Sequence, residues 1–478
     1  MTAVSDPLLL FVLLAAPSAA AVLALVPYPH VSQAVARAGA VLAFAAAALL
    51  LASGANGRWG PYLGLDPLSE VFLLMVTGVY GTSIWYSRGY LQHVARPFLT
   101  PQVYYALLSA FAFSMIAVLV VTDLGLMWIG VEATTVASAL LIVLERRPAS
   151  VEAAWRYTLI ASAGLTIALF ALLLLYISTG TLDGFALAAN PPPATLPVEM
   201  AVALALVGYG TKVGLFPMHT WLPDAHSEAP SPVSAMFSGV LLPTALYAFL
   251  RVYRVLPSPP PVAITDLLLA FGIATAVVAA FLIQRQRSFK RLLAYSSMEV
   301  MGLAVIGIAL GGVALYGALV LLVAHAFAKS AAFYCGGNVL RSTGTNRIDE
   351  IRNLRETMPA TGLAWVVSAA AVTGAPPFGT FLGELLIVVG ALAVGQVWVA
   401  GVVVAAILVA FLGVNSQIGR MVFGEPSASS RPLTESSDSG WGFAYLNVGV
   451  ALAIGVATLP YLSSALRAAS TLLGGSLP

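Results

Sequence analysis

Apolar runs of about twenty residues follow one another along this chain and leave it few folds to choose from. They fall at 7–27, 31–53, 66–87, 103–121, 123–145, 152–177, 198–217, 231–254, 262–284, 291–311, 314–341, 359–390, 393–420 and 441–465. A helix of ~20 apolar residues spans a bilayer core. The runs are ungapped, unlike the short alternating strands of a membrane barrel. Only 9% of the 478 residues are charged, against roughly 25% in soluble domains, which excludes a water-soluble globular protein. The expectation is an all-α integral membrane protein of about 14 transmembrane helices. The longest polar stretches, 341–358 and 424–440, are linkers. The first run lacks a basic leader region and reads as a span, not a cleaved signal.

The few charges set orientation. Numbering each loop by the span it follows, fifteen of the 22 Lys and Arg lie in odd loops, among them Arg96 and Arg431. Four (Arg58, Arg251, Arg254, Arg467) lie in even loops or the tail, and three lie within spans. Basic loops stay inside, so both termini are expected on the outer side of a prokaryotic-type inner membrane. A net charge of +2 gives no basic excess for nucleic acid. The single cysteine, Cys335, excludes an intramolecular disulfide and a cysteine-ligated cluster.

Spans seven (VGYGTKVGLFPMHTWLPDA) and twelve (AAVTGAPPFGTFLGELL) carry Gly and Pro in mid-membrane. Proline removes a backbone donor, and irregular backbone at that depth is tolerated only inside protein or beside a watery cavity. Paired interruptions point to an inverted-repeat transporter with its site at the midplane; a pair of packing kinks is the plainer alternative. The expected organisation is 1–100 (spans 1–3), 101–255 (first repeat, spans 4–8), 256–425 (second repeat, spans 9–13) and 426–478 (linker and span 14).

Six ionisable residues lie well inside spans: Glu132, Lys212, Glu299, His325, Lys329 and Glu384. A charge at the centre of a span costs roughly 2.5–3.5 kcal/mol on insertion scales, so these groups must pair, hydrate or neutralise. Their protonation then depends on their neighbours, the property a proton relay uses. Glu132 and Lys212 form either a static ion pair or a pair whose separation loads and unloads a proton. His325 and Lys329, four apart, share one helix face. Tyr295 and Ser296 precede Glu299 by about one turn and either carry a water chain or satisfy its carboxylate. Glu384 follows the break of span twelve and is the expected outlet to the far side. The segment HTWLPDAHSE, with His219 and His226, reads as a re-entrant linker joining spans seven and eight at the surface and opening a proton path. Its histidines are seven apart without metal-site spacing; no metal and no cofactor is expected, and GYGTKVG lacks the spacing of a nucleotide loop.

The stretches GVEATT, KVGLFPMHTWLPDAHSEAPSPVSA, FKRLLAYSSMEVMG, HAFAKSAAFYCGGN and GAPPFGTFLGE resemble the antiporter-like, proton-translocating subunits of respiratory complex I, membrane-bound hydrogenases and Mrp antiporters, over roughly residues 100–390. Within that family SSMEVMG, GGN and FLGE look most like component F of hydrogenase-4 or formate hydrogenlyase-type assemblies. The resemblance implies that Glu132 modulates Lys212 on the broken helix, that His325 and Lys329 link the two halves, that Glu384 is the terminal acid, and that Lys290 matches the lysine opening the KRLxAYSS motif. There are two departures. Some relatives carry a lysine in span eight, where this chain has Leu242 and Pro243. Others have a histidine where this chain has Val300. Between spans eight and ten the polar axis is either interrupted or bridged by water.

The resemblance further implies other membrane-arm subunits as partners and a soluble redox partner (Fe–S or NiFe, or quinone-reducing), with protons, or sodium, as the transported ion. A zinc-containing, carbon-handling partner is the alternative, as is a Na+/H+ antiporter subunit. A scaffold whose polar axis has decayed is a third reading, opposed by the retained charges.

Overall fold

A computed structural model describes residues 5–92, 94, 97–425, 435, 440–457 and 459–475. Arg96, Arg431 and most of the linker 424–440 lie outside the described residues. Helices α1 (Ser5–Leu23) and α2 (Pro29–Ser53) lead into an antiparallel hairpin of β1 (Gly57–Trp59) and β2 (Leu63–Leu65), with Gly57 opposite Leu65. Helices α3 (Pro67–Leu91), α4 (Pro101–Val120), α5 (Leu124–Ile142) and α6 (Pro148–Thr179) follow. A short loop helix, α7 (Gly184–Ala189), precedes span seven, which is α8 (Leu196–Val213), a single turn at Met218–Trp221 and α9 (Leu222–Glu228). Span eight is α10 (Ser231–Met236), a π turn at Phe237–Leu241 and α11 (Leu242–Tyr253). Spans nine to eleven are α12 (Val262–Ile283), α13 (Phe289–Leu310) and α14 (Gly312–Thr343). Beyond the short α15 (Leu354–Thr357), span twelve divides into α16 (Pro359–Val372) and α17 (Gly379–Ala393). Helix α18 (Val397–Phe423) is followed by α19 (Trp441–Val456) and α20 (Pro460–Leu472).

Local sequence explains many boundaries. Pro67, Pro101, Pro148 and Pro359 open helices, where a missing N–H costs nothing. Asp66, Thr100 and Asp123 cap α3, α4 and α5 by accepting from the backbone N–H of Ser69, Val103 and Leu126. Among the described residues twelve apolar helical stretches are long enough to cross a membrane, and α19 with α20 make a thirteenth if that pair, bent by 69°, is one span. The 441–465 run is therefore not one straight helix: Pro460 begins a new one. The two halves of span twelve are each too short to cross alone and occupy the place where an interrupted span is expected.

Burial does not follow hydropathy. Span eight and the apolar stretch of α13 are wholly buried, whereas α1, α2, α6 and α18 leave most of their residues at the periphery. Close helix contacts then fix the polar side chains. A Cβ on Gly208 would lie 2.5 Å from the backbone nitrogen of Ala168, so glycine is what lets α8 rest on α6. A Cβ on Gly383 would lie 2.7 Å from the nitrogen of Leu321, which holds α17 against α14. Such small-residue contacts are the usual means of packing helices in lipid.

Candidate functional site

The two breaks place one charge each. Helix α8 ends at Gly214, whose φ of +84° suits glycine. Trp221 Nε1 donates to the carbonyl of Thr211 at 2.8 Å, satisfying an acceptor that the break sets free. Lys212 lies in the last turn of α8, where the carbonyl end of the helix dipole favours a cation. In span twelve, Gly374 has φ +66° and Thr380 Oγ1 donates to the carbonyl of Ala371 at 2.5 Å. Glu384 lies back over this break: a Cβ on Gly374 would fall 1.8 Å from its Oε2. Gly374→Ala is thus expected to displace the carboxylate and strain the backbone, cutting ion flux at least ~10-fold, if Glu384 is in the path, with a destabilisation of roughly 1–2 kcal/mol. Flux in proteoliposomes and the thermal midpoint of the purified protein check this; unchanged flux overturns it.

Around the first break, Lys212 is fully buried and donates to Thr135 Oγ1 at 2.5 Å and Tyr157 OH at 2.7 Å. Its ammonium also lies 4.8 Å from the Tyr157 ring centroid. Tyr157 OH and Ser138 Oγ are 2.9 Å apart, which extends the hydroxyl chain along α5. Glu132, three residues before Thr135 on that helix, accepts from Ser162 Oγ at 2.6 Å, and its buried Oε2 has no hydrogen-bond partner among the described residues. Glu132 and Lys212 form no ion pair within 4.0 Å, which counts against a static pair as the reason for both charges.

Between the halves lies His226. The sequence places it on a surface linker, but it is completely buried. The linker continues as α9 and turns this face inward, toward Trp221, Phe237 and Phe333, whose rings lie 6.3, 5.6 and 6.0 Å away. His226 Nδ1 pairs with the carbonyl of Leu222 at 2.8 Å, and Nε2 has no partner among the described residues. His219 is near the rim, its ring 6.4 Å from that of Tyr295. Lys290, also buried, donates to the carbonyl of Ala229 at 2.6 Å and so ties α13 to the linker between α9 and α10. Leu242 and Pro243, where the resemblance leads one to expect a lysine, open α11 directly after the π turn. That turn carries Ser238, whose Oγ is 2.5 Å from Ser297 Oγ on α13. A hydroxyl pair thus stands in the stretch where the sequence suggests an interruption.

In the second half His325 and Lys329 are fully buried, one turn apart on α14. Neither ring nitrogen of His325 has a hydrogen-bond partner among the described residues. Lys329 Nζ donates to the carbonyl of Leu293 at 2.7 Å and to Ser296 Oγ. Ser296 therefore serves the lysine, and among the described residues it makes no hydrogen bond to the Glu299 carboxylate. Glu299 and Glu384 are buried, and Glu299 lies within electrostatic range of both Lys329 and Glu384.

Residues 121–409, more than half of the chain, match the family described as NADH:quinone oxidoreductase/Mrp antiporter, transmembrane. The chain belongs to this family. It is 34% identical over 390 residues to the hydrogenase-4 component F homolog of Methylacidiphilum infernorum (isolate V4), covering 78% of this chain and 82% of that relative. It is 33% identical over 368 residues to NADH-quinone oxidoreductase subunit N of Desulforudis audaxviator, with coverage of 75% and 72%. In fold it is similar to a chain of the Mrp complex from Dietzia sp. DQ12-45-1b, with a TM-score of 0.86, 22% identity and 98% of each chain covered. It is an antiporter-like, multi-pass membrane subunit, and its relatives are membrane subunits of multi-subunit complexes.

Ionic clusters close the two ends of this antiporter-like subunit. On the side of the odd loops Asp224 accepts from Arg156 at 2.6 Å and Arg291 at 3.0 Å, and Glu228 lies 3.8 Å from Arg147. On the other side Asp66 pairs with Arg251 at 2.5 Å and Arg254 at 3.1 Å, while Arg251 also donates to Ser69 and Tyr247. In the loops there, Arg58 is 2.5 Å from Asp183. Burial acts to raise the Asp183 carboxyl, but the backbone N–H of Ala186 and the Arg58 guanidinium outweigh it and hold it below its ordinary value. Sequence reasoning assigned Arg251 to a loop, yet it is buried within span eight. It also passed over Glu70, buried one turn into α3 with Oε1 unpartnered among the described residues. Its position four residues after Asp66, inside an apolar run, was the available signal.

Proposed function

We propose that this antiporter-like subunit translocates protons through Glu132, Lys212, the His226–Ser238–Ser297 region, His325, Lys329, Glu299 and Glu384, with His219 and Lys290 at its mouth. One observation carries the reading: Lys212 and Lys329 are fully buried, and their hydrogen-bond partners are neutral hydroxyls and a carbonyl. An amine held by neutral oxygens keeps no carboxylate contact that would lock its charge, so burial and the approach of a neighbouring acid decide whether it is protonated. A purely structural cation would be bonded to an anion, as Arg251 is to Asp66.

Residues 101–255 and 256–425 are read as the two inverted repeats, an assignment supported by the break in the third helix of each. Fifteen Lys and Arg in the odd loops support both termini on the outer side of a prokaryotic inner membrane. The names of the relatives support a partner that performs redox chemistry, with Fe–S, NiFe or quinone-reducing subunits. A zinc-containing carbon-handling partner is the second reading, and the proteins that copurify with the chain decide between them.

The test is turnover-driven ion movement by the purified complex in sealed proteoliposomes, followed with a pH-sensitive dye. Proton movement should persist unchanged when sodium is replaced by choline. A requirement for sodium would favour Na+/H+ antiport and overturn the proton reading.

A further inference from the structure

Outside the polar axis, α2, α3, α14, α19 and α20 enclose a cavity of about 660 Å³ whose walls are almost entirely apolar. On α2 its wall includes Val41 and Phe44, and on α3 Leu74, Gly78, Gly81 and Trp85; Phe327 of α14 forms part of the floor. Residues at these helical spacings share a face, so the walls are two stripes running along α2 and α3. From Trp85 to Leu74 is eleven residues, or roughly 16 Å at 1.5 Å per residue. That is about half of the ~30 Å hydrocarbon core, the depth of one leaflet. Phe44 and Val41 are 43% and 52% exposed, so the cavity opens sideways to lipid.

The end nearest Trp85 is basic. Arg37, one turn before Val41, lies with its guanidinium carbon 4.3 Å from the Trp85 ring centroid, and its buried Nε has no hydrogen-bond partner among the described residues. Arg88, one turn after Trp85, is exposed and within electrostatic range of Arg37. Neither arginine has an ion-pair partner within 4.0 Å among the described residues. Both belong to the ends of α2 and α3 next to the odd loops. Two uncompensated arginines at headgroup level call for an anion, and an apolar slot one leaflet deep beneath them calls for a hydrocarbon chain.

We propose that this groove is a binding site for one anionic phospholipid, its phosphate on Arg37 and Arg88 and one acyl chain between α2 and α3 down to Leu74 and Phe44. The site is separate from the proton path and does not rest on it. A lipid there fills the gap between the N-terminal helices and α14, the helix that carries His325 and Lys329.

Native mass spectrometry of the delipidated protein, titrated with phosphatidylglycerol or phosphatidylcholine, tests this. The wild type should retain one phosphatidylglycerol with a preference of roughly 10–30-fold, the size expected for two arginines at a membrane surface. Arg37→Gln with Arg88→Gln should bring the two lipids to equal retention. Gly81→Leu should reduce retention of both at least ~10-fold; a Cβ there meets nothing within 4 Å, so the side chain enters the slot without disturbing the fold. Glycerol 3-phosphate at the same concentration should not displace the lipid. Equal retention of the two lipids by the wild type, a preference that survives loss of both arginines, retention unchanged in Gly81→Leu, or displacement by glycerol 3-phosphate would each overturn the proposal. So would a polypeptide cross-linking to Val41→Cys in the intact complex, since a protein partner would then cover the groove.

Discussion

Lys212→Met should stop proton translocation while leaving the chain folded in the membrane. The methionine keeps the apolar stem and removes a buried charge, so membrane insertion becomes easier, not harder. Tyr157 keeps its bond to Ser138 at 2.9 Å when the ammonium is gone. What is lost is the amine between Thr135 and Tyr157. Turnover-driven proton movement in proteoliposomes is expected to fall at least ~10-fold. Lys212→Arg separates titration from charge. Its guanidinium stays protonated at every accessible pH, so it preserves the cation and should still fail to pump. Full flux in Lys212→Met removes the lysine from the path; full flux in Lys212→Arg leaves it a fixed charge and nothing more.

The contrast between span eight and α18 shows what hydropathy conveys in a membrane and what it does not. Apolar runs identified the helices because a bilayer accepts little else. They did not separate buried helices from peripheral ones, because lipid tails are as apolar as a protein core. Helix α18 is the most apolar of the spans and leaves most of its residues peripheral, while the apolar stretch of α13, less apolar, is wholly buried. The breaks were legible because Gly214, Pro217, Gly374, Pro376 and Pro377 have no ordinary place inside a helix.

Side-chain partners were harder to read than positions. The six charged positions within spans are all described as buried or half-buried, yet the hydroxyls that serve them come from other helices. Thr135 and Tyr157 lie 77 and 55 residues from Lys212, and Ser238 lies 59 from Ser297. No local pattern marks such contacts. The same holds for His226: HTWLPDAHSE is polar enough to read as a surface linker, but as a helix it presents Asp224 and Glu228 to the arginines and His226 to the interior. Arg251 stands at a span end, where arginines usually snorkel to water; Asp66 on α3 supplies the partner that keeps it inside.

Arg251→Met should be the most destabilising single substitution proposed here. Arg251 is 3% exposed and bonds both Asp66 oxygens, at 2.5 and 2.7 Å, together with Ser69 Oγ and Tyr247 OH. Removing one partner of a buried pair leaves the other charge without compensation and costs about 3–5 kcal/mol. Here Asp66 would keep Arg254, at 3.1 Å, as its one cationic partner among the described residues, beside the cap bonds from Ser69. The expected results are a markedly lower thermal midpoint in detergent and a lower yield of assembled complex. Asp66→Asn should be comparably harmful, because it leaves Arg251 and Arg254 without their carboxylate. The double variant should cost well under the sum of the singles, since the two residues share one interaction. Additive losses would mean that each residue acts through separate contacts, and a wild-type midpoint for Arg251→Met would remove the pair as a structural tie. The comparison with Lys212 makes the physical distinction between the two buried cations: one is fixed by a carboxylate and its loss should unfold, the other is held by hydroxyls and its loss should silence.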